Sequence, residues 1–431
     1  MSSRLLAAAV LLWAGVAHSE SAVQGTADVA VGYTDNVRSS PKEPPPGISG
    51  KAGDSFLLLS PGVGYAQSSA GALQRVGYTL SFTLFAHQDE ANSVSQRADY
   101  RGLFDLSPNA SLVLGAAASQ ARPYSSTTLT SAGLTELGAW APGSSSIVVV
   151  TADELLSIDL SPELRGYQSG HAGFGAPLFG GDGPRTFEGG GLLGAERLFR
   201  ADAIGAEAAS SYAVATRTLR SDGTAAGTQR QLMGTGAGIW RHDFGTDFAS
   251  RLELGAGRVQ RLESGRGFWY PTGSALLGFA RDEANAEVSY AHRVTTNLSL
   301  GQFSIVDQVQ ARGGVPIGAF ALEASAGAER GRLIEEDATR AARVDLWQAD
   351  VQLAWQALPG VSVALRYQHI EQRSDASAPP LPLSFVKNTI LLLAGVRVPP
   401  DDQLPRRPRS PRRVDRSDAL SPQTPGARAA P

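Results

Sequence analysis

Short alternating segments dominate this sequence, and the clearest runs from Val76 to Leu84. Every second side chain there is large and apolar, and the residues between them are small or hydroxylic. A two-residue period places the two kinds of side chain on opposite faces of an extended strand. Such segments recur from about residue 22 to residue 398, with no helical period of comparable length between them. The pattern predicts an all-β chain.

The connections between these segments alternate between two kinds. Tight ones, rich in Gly, Pro, Asn and Asp, are expected around 68–73, 107–109, 161–163, 199–201, 243–247, 282–285, 313–316 and 358–360. Longer ones are expected at 35–53, 89–95, 123–144, 177–184, 218–227, 263–266, 297–300, 332–340 and 374–383. The count is 18 strands, and the range is 16–18 because Leu129 to Trp140 could form another strand. Alternating short turns and long loops are typical of a transmembrane antiparallel up-and-down β-barrel of the outer membrane, whose short turns and both termini face the periplasm.

A soluble, secreted β-sandwich or β-solenoid would show the same alternation. Two observations favour the barrel. The strand faces opposite the apolar ones are polar, which leaves no second apolar face for another sheet to cover. The tryptophans also lie near predicted strand ends or loops, where aromatic girdles meet the membrane interface; they are Trp140, Trp240, Trp269, Trp347 and Trp355.

The two ends of the chain differ from the middle. Arg4 precedes an apolar stretch from Leu5 to Ala17, and small residues follow, as in a secretory signal peptide. That stretch is too short for a membrane-spanning helix, and no other approaches the 18 or more apolar residues that such a helix needs. After residue 398 the composition changes to Pro, Arg and Ser. The expected organisation is a cleaved signal peptide at 1–19, a barrel at 20–398 and a disordered periplasmic tail at 399–431.

Composition removes several function classes. The chain has no cysteine, which excludes disulfides and thiolate chemistry, and its net charge of −3 gives no reason to expect a nucleic-acid partner. Gly189 to Gly194 matches G-x-G-x-x-G, but without the strand and helix that a dinucleotide site needs. The five histidines after the signal are isolated in sequence, without metal-ligand spacing. The sequence therefore predicts no enzyme, no metal and no cofactor.

The polar faces of the strands would line the lumen, which 16 to 18 strands leave open to water. Following the alternation, the predicted lumen-lining residues are Asp99, Arg101, Asp105, Arg251, Glu253, Glu287, Arg293, Glu323, Glu329, Asp350, Gln352, Arg366, Gln368, Lys387 and Arg397. Both charge signs occur in comparable number, so the lumen should be hydrated, weakly ion-selective and suited to a neutral, hydroxyl-rich solute. These charges could equally pair between neighbouring strands and only stiffen the wall.

The first strand, with Ala30 to Val37, the Leu-Ser-Pro turns at 106–108 and 160–162, and the strand count resemble the large β-barrels found with bacterial exopolysaccharide and capsule clusters. The resemblance covers residues 22–398. It implies an outer-membrane porin that completes a polysaccharide export path beside a periplasmic polysaccharide-export lipoprotein. No individual functional residue is carried over from that family.

Three functions follow as expectations. The first is a channel through which a secreted polysaccharide threads the lumen, with the outer-membrane lipid, the polysaccharide and a periplasmic export protein as partners. The second is a general or substrate-specific diffusion porin for small solutes, which a long loop folded into the lumen would favour; residues 123–144 are the candidate loop. The third is a structural or adhesive surface barrel whose outer loops carry recognition.

Overall fold

A computed structural model of the protein describes residues 20–43, 50–121, 146–178, 184–219, 225–297, 302–334, 343–375 and 384–405. The described residues form 18 strands and two short 3₁₀ turns, Asp89–Ala91 and Asp401–Gln403. The strands are β1 Glu20–Thr34, β2 Asp54–Ser69, β3 Ala72–Phe85, β4 Ser93–Ser107, β5 Ala110–Ala121, β6 Ile147–Ser161, β7 Leu164–Pro177, β8 Arg185–Leu198, β9 Asp202–Leu219, β10 Ala225–Phe244, β11 Phe248–Arg261, β12 Gly267–Arg281, β13 Ala284–Asn297, β14 Gln302–Ile317, β15 Phe320–Leu333, β16 Arg343–Leu358, β17 Val361–Ser374 and β18 Phe385–Val398.

Each strand pairs antiparallel with its neighbours in sequence, and the first strand also pairs with the last. Tyr33 of β1 lies opposite Ser55 of β2 on one side and opposite Ile390 of β18 on the other. The sheet therefore closes on itself without a free edge. The predicted all-β, antiparallel up-and-down barrel of 18 strands is confirmed. The alternative strand at 129–140 and the predicted signal peptide lie outside the described residues.

All eight short turns lie at one end of the barrel, here called the turn end, and none is longer than three residues. Gly245, Gly318 and Gly360 hold positive φ angles in these turns, which a residue with a Cβ adopts only under strain. One predicted turn is wrong: β14 continues through 313–316 to Ile317. The Gly-Gly pair and Pro316 indicated a turn, but the chain reverses at Gly318, where the left-handed backbone is used. The opposite end is here called the loop end.

One face of the wall is apolar and exposed, as a bilayer requires. On β16, Trp347 and Trp355 share that face with Val351 and Leu353, and all four side chains are exposed. The two tryptophans are eight residues apart, about 26 Å along a strand, which is about 20 Å of height for a strand tilted by about 40°. They lie near the two edges of the apolar band that a transmembrane barrel is expected to present. In the described part of the chain no helix is long and apolar enough to cross a membrane.

The start of the predicted tail lies against the barrel. Gln24 of β1 donates its Nε2 to the backbone oxygen of Pro399 at 2.8 Å and to Asp401 Oδ1 at 2.7 Å. Arg397 Nε lies 3.8 Å from Asp401 Oδ2. These contacts hold residues just after β18 at the turn end, beside the first strand; residues 406–431 lie outside the described part.

Candidate functional site: the lumen and its mouth

The strand register assigns each side chain to a face. Directly paired residues share a face, so the exposed apolar residues fix which positions point outward on every strand. By this register all fifteen residues predicted to line the lumen lie on the opposite, inward face. They are spread over seven strands around the wall and do not form a single site. What they do for a solute remains a prediction.

The densest charge cluster lies on the inner wall from β7 to β12. Arg251 Nη2 lies 3.5 Å from Glu207 Oε2 and 4.0 Å from Glu253 Oε2, and both Arg251 and Glu207 are nearly buried. Tyr167 donates its hydroxyl to Glu207 at 2.9 Å, and Ser274 donates to Glu253 at 3.1 Å. A single guanidinium therefore lies between two carboxylates and balances one of their two negative charges, and two hydroxyls occupy part of their remaining acceptor capacity.

Other predicted residues form ion pairs along the wall. Arg366 binds Asp350 at 2.7 Å and Glu287 binds Arg312 at 2.8 Å, both between adjacent strands, while Asp99 lies 3.7 Å from Arg97 of its own strand. Lys387 and Gln368 are buried on the inward face, and Glu323 is exposed there. Pairing of this kind stiffens the wall, which is the alternative role that the sequence analysis left open for these charges.

A further polar group joins β13, β14 and β15. Gln308 lies between Arg293, whose Nη2 donates to its Oε1 at 3.4 Å, and Glu329, which accepts from its Nε2 at 3.2 Å. Arg293 also interacts electrostatically with Glu188 of β8 and with Glu253 of β11. Because β8 is five strands away from β13, these side chains project from separate parts of the wall into a shared polar region of the lumen.

The sequence prediction missed several inward charges that belong to the same wall. Arg241 and Glu196 form a nearly buried ion pair beside the Arg251 cluster, and Arg165 binds Asp159 at 2.8 Å. The alternation that identified Arg251 applies equally to these residues.

An apolar cluster narrows the mouth on the side of β18, β1, β2 and β3. Two of its members, Val37 and Ala91, lie in connections between strands. The others are inward-facing strand residues near the loop end: Ala30, Phe56, Leu58, Phe85 and Leu391. Val37 is fully buried. The connection 35–43 therefore lies across the inner face of this wall. The sequence placed such a loop at 123–144, which is outside the described residues.

A second apolar cluster narrows the mouth from the opposite side, and it reveals a bend in the wall. Phe303 and Val309 share the outward face of β14, yet Phe303 is 2% exposed and Val309 is 46% exposed. Phe303 and Ile334 form one buried cluster with inward-facing residues of β9 to β12, namely Ala213, Ala215, Met233, Val259 and Tyr270. The outward face of one wall segment can meet the inward face of another only if the segment folds into the barrel. The loop-end part of β13 and β14, here called the inturned hairpin, does so.

The strand pairing shows where the inturned hairpin leaves the wall. β12 and β13 pair only from Arg281↔Ala284 to Gly273↔His292, the shortest register among neighbouring strands here. β12 begins six residues before Gly273 and β13 continues to Asn297, so their loop-end parts are not paired with each other and keep only their other neighbours, β11 and β14. Thr272 Oγ1 donates to the backbone oxygen of His292 at 3.2 Å, just where the pairing stops. Pro271, which has no N–H to donate, lies in the part of β12 that does not pair with β13.

The outward face carries a repeated polar motif at its boundaries. An aromatic residue and a histidine two positions later both bond to one Asp or Asn of the neighbouring strand, at 2.8–3.1 Å. The three examples are Tyr290 and His292 with Asp307, Tyr367 and His369 with Asn388, and Trp240 and His242 with Asp202. The motif satisfies the polar tips of girdle aromatics, and it gives three of the isolated histidines a structural role. Across the described residues, no three His, Asp or Glu side chains gather to hold a metal ion.

Comparisons with known proteins add only distant likenesses. No family model matches the chain, and no curated protein matches it. Among solved structures it is similar to OccK2 (OpdF) of Pseudomonas aeruginosa, in complex with glucuronate, with 12% identity, a TM-score of 0.42 and coverage of 88% of this chain and 98% of that one. OccAB3 of Acinetobacter baumannii gives 11% identity, a TM-score of 0.41 and coverage of 87% and 98%. The ferric-catecholate import receptor Fiu of E. coli K12 gives 9% identity, a TM-score of 0.43 and coverage of 88% of this chain and 81% of that one. These likenesses are too weak to support an argument, and the assignment of the fold rests on the strand pairing alone.

Proposed function

We propose that this protein is an outer-membrane channel for the diffusion of small hydrophilic solutes, with the turn end in the periplasm and the loop end at the cell surface. A barrel of 18 strands encloses a lumen wide enough for water. Its inward face carries arginines and carboxylates in similar number, such as Arg251 and Glu253 or Arg366 and Asp350. Such a lining hydrates the lumen without strong selection of one charge sign.

The narrowed mouth is the observation that carries this proposal. Strands β1 and β10 are nine places apart in an 18-strand ring, so the two apolar clusters lie on opposite sides. Connection 35–43 and the inturned hairpin place segments of the chain inside the lumen, one from each of these sides. Inward-folded chain restricts the size of what passes, which suits a small solute and obstructs a thick polymer.

Polysaccharide export therefore gives way to the diffusion channel as the favoured function. The resemblance to exopolysaccharide-associated barrels rests on architecture and short motifs. The mixed-charge lining fits both functions equally. The mouth separates them.

Liposome swelling tests the proposal. Liposomes that contain the purified protein should swell in isotonic monosaccharide and disaccharide and not in long linear oligosaccharides of the same osmolarity. Protein-free liposomes are the control. Swelling in long oligosaccharides, together with loss of surface polysaccharide on deletion of the gene, would contradict the proposal and restore the export conduit.

A further inference from the structure

Among the described strands, His171 of β7 is the only histidine on the inward face. Phe174, three residues further along β7, lies directly opposite Phe187 of β8, and both are exposed on the outward face. His171 therefore points into the lumen, where its side chain is 45% exposed. Three other histidines lie on the outward face and one lies in the connection after β3; they are His242, His292, His369 and His87.

The glycine run of β8 makes room for the imidazole of His171. Gly190 lies directly opposite His171 in the register, and a Cβ at Gly190 would lie only 2.7 Å from His171 Cε1. Because no side chain stands there, the ring lies over β8 and its Nε2 is 3.5 Å from Glu188 Oε1. The run from Gly189 to Gly194, which matches a dinucleotide motif in sequence, thus has a structural use on the inner wall.

The charged groups around His171 are balanced while its ring is neutral. Asp153 of β6 lies directly opposite His171, and Arg101 of β4 interacts electrostatically with Asp153. Glu188 interacts in the same way with Arg293 of β13. The inward neighbours of His171 on β7 itself carry no charge; they are Ser169 and Gly173. Two carboxylates therefore face two guanidiniums, and protonation of the imidazole adds one positive charge to this part of the lumen.

We propose that His171 makes the ion selectivity of the channel depend on pH, with cations less favoured when its ring is protonated. An unperturbed histidine changes its charge between about pH 5 and 8. A positive charge on the wall of a hydrated lumen repels cations and attracts anions within about a Debye length, ~10 Å at 0.1 M salt. This inference rests on the proposed diffusion channel and names a residue that sets its selectivity.

Reversal potentials of the full-length protein in planar bilayers test the proposal, measured in one KCl gradient at pH 8.5 and at pH 5.5. The test variant is His171→Gln, whose side chain is uncharged at both pH values. His242→Gln is the matched control, because His242 also lies beside a carboxylate, Asp202 at 2.8 Å, but on the outward face. Carboxylates elsewhere in the lumen also take up protons at low pH, so the proteins are compared with each other at each pH. Folding of each variant is checked by its shift between boiled and unboiled samples on a gel.

At pH 8.5 the wild type and both variants should give the same reversal potential. At pH 5.5 the ratio of potassium to chloride permeability should be about twofold lower for the wild type and His242→Gln than for His171→Gln, as expected for a unit charge about 10 Å from a passing ion in water.

Equal potentials for the wild type and His171→Gln at pH 5.5 would overturn the proposal. A difference that is as large at pH 8.5 would also overturn it, because the effect would then come from the shape of the side chain and not from its charge. Folded, inserted wild-type protein without any conductance would contradict the diffusion channel itself, and this inference with it.

Discussion

Arg251 is the central cation of the densest charge cluster on the inner wall. It lies between Glu207 and Glu253, and each of these carboxylates also accepts a hydrogen bond from a hydroxyl. Removing the guanidinium takes away the cation that lies between two neighbouring carboxylates. The local potential in the lumen then becomes more negative, which favours passing cations.

Arg251→Gln should therefore increase selectivity for potassium over chloride. The reversal potential across a planar bilayer with a KCl gradient measures this change. Arg258→Gln, an arginine on the outward face of the same strand, should leave it unchanged. The free energy of unfolding should fall by about 2 kcal/mol, because a charged hydrogen-bond donor is lost from a nearly buried cluster. Identical reversal potentials for Arg251→Gln and the wild type would show that the cluster lies outside the ion path.

Asp35 joins the first and last strands just beyond the loop end of β1. It accepts hydrogen bonds from the backbone N–H and the Nδ2 of Asn388 and an ion pair from Lys51, at 2.7–2.8 Å. Burial alone would raise the pKa of Asp35, but the bonds from Asn388 and Lys51 outweigh it and hold the pKa below its usual value. A carboxyl with a lowered pKa in the folded state stabilises that state above its unfolded pKa, and the contribution is lost as pH falls through the folded pKa.

Asp35→Asn should lower the unfolding temperature at pH 6. Its unfolding temperature should also drop less than that of the wild type between pH 6 and pH 3, because the titrating group is gone. Thermal unfolding in detergent, followed by circular dichroism at both pH values, measures both effects. Equal acid sensitivity of the variant and the wild type would show that Asp35 does not govern the pH dependence.

The inturned hairpin is the element that departs from a regular cylinder. Its outward-facing Phe303 is buried against the inner wall. Val309 lies six residues further along β14 on the same face, and its side chain is exposed. The short β12–β13 register frees the hairpin from β12, while β14 stays paired with β15 as far as Ser304↔Leu333. The apolar contact is what joins the outward face of the hairpin to the opposite inner wall. Weakening the contact should let the hairpin withdraw and widen the mouth.

Phe303→Ser should raise single-channel conductance roughly twofold, since a buried aromatic side chain contributes about 2–3 kcal/mol to the contact it makes. Val309→Ser changes an exposed apolar residue on the same strand and face, and it should leave conductance at the wild-type level. Recordings of both variants in planar bilayers make the comparison. An unchanged conductance for Phe303→Ser, in protein that still migrates as a folded barrel, would mean that the hairpin does not limit the channel.

At the scale of the whole molecule, alternation alone predicts most of the barrel, because a two-residue period specifies both the strand and its face. It does not predict the inturned hairpin. Phe303 and Ile305 continue the outward pattern of β14 like any other apolar residues, and only burial against β9 to β12 distinguishes them. The turn predicted at 313–316 failed for a related reason, since residue type marks several possible turns and the backbone uses only Gly318.

Pairing between distant strands is equally hidden in the sequence. Alternation places Arg293 and Glu188 on the inward face, but their electrostatic contact depends on the curvature and width of the closed barrel. The narrowing of the mouth is hidden in the sequence for the same reason. The two segments that narrow it are far apart in sequence, and they lie on opposite sides of the lumen only because the 18 strands close into a ring.

Single-channel recording of the wild-type protein in a planar lipid bilayer tests the diffusion channel most directly. The account predicts discrete conductance steps in KCl with weak ion selectivity, partly blocked by added small sugars and unaffected by long polysaccharide. A membrane that contains folded, inserted protein and shows no conductance steps would contradict it, and the lumen would then have to be regarded as closed.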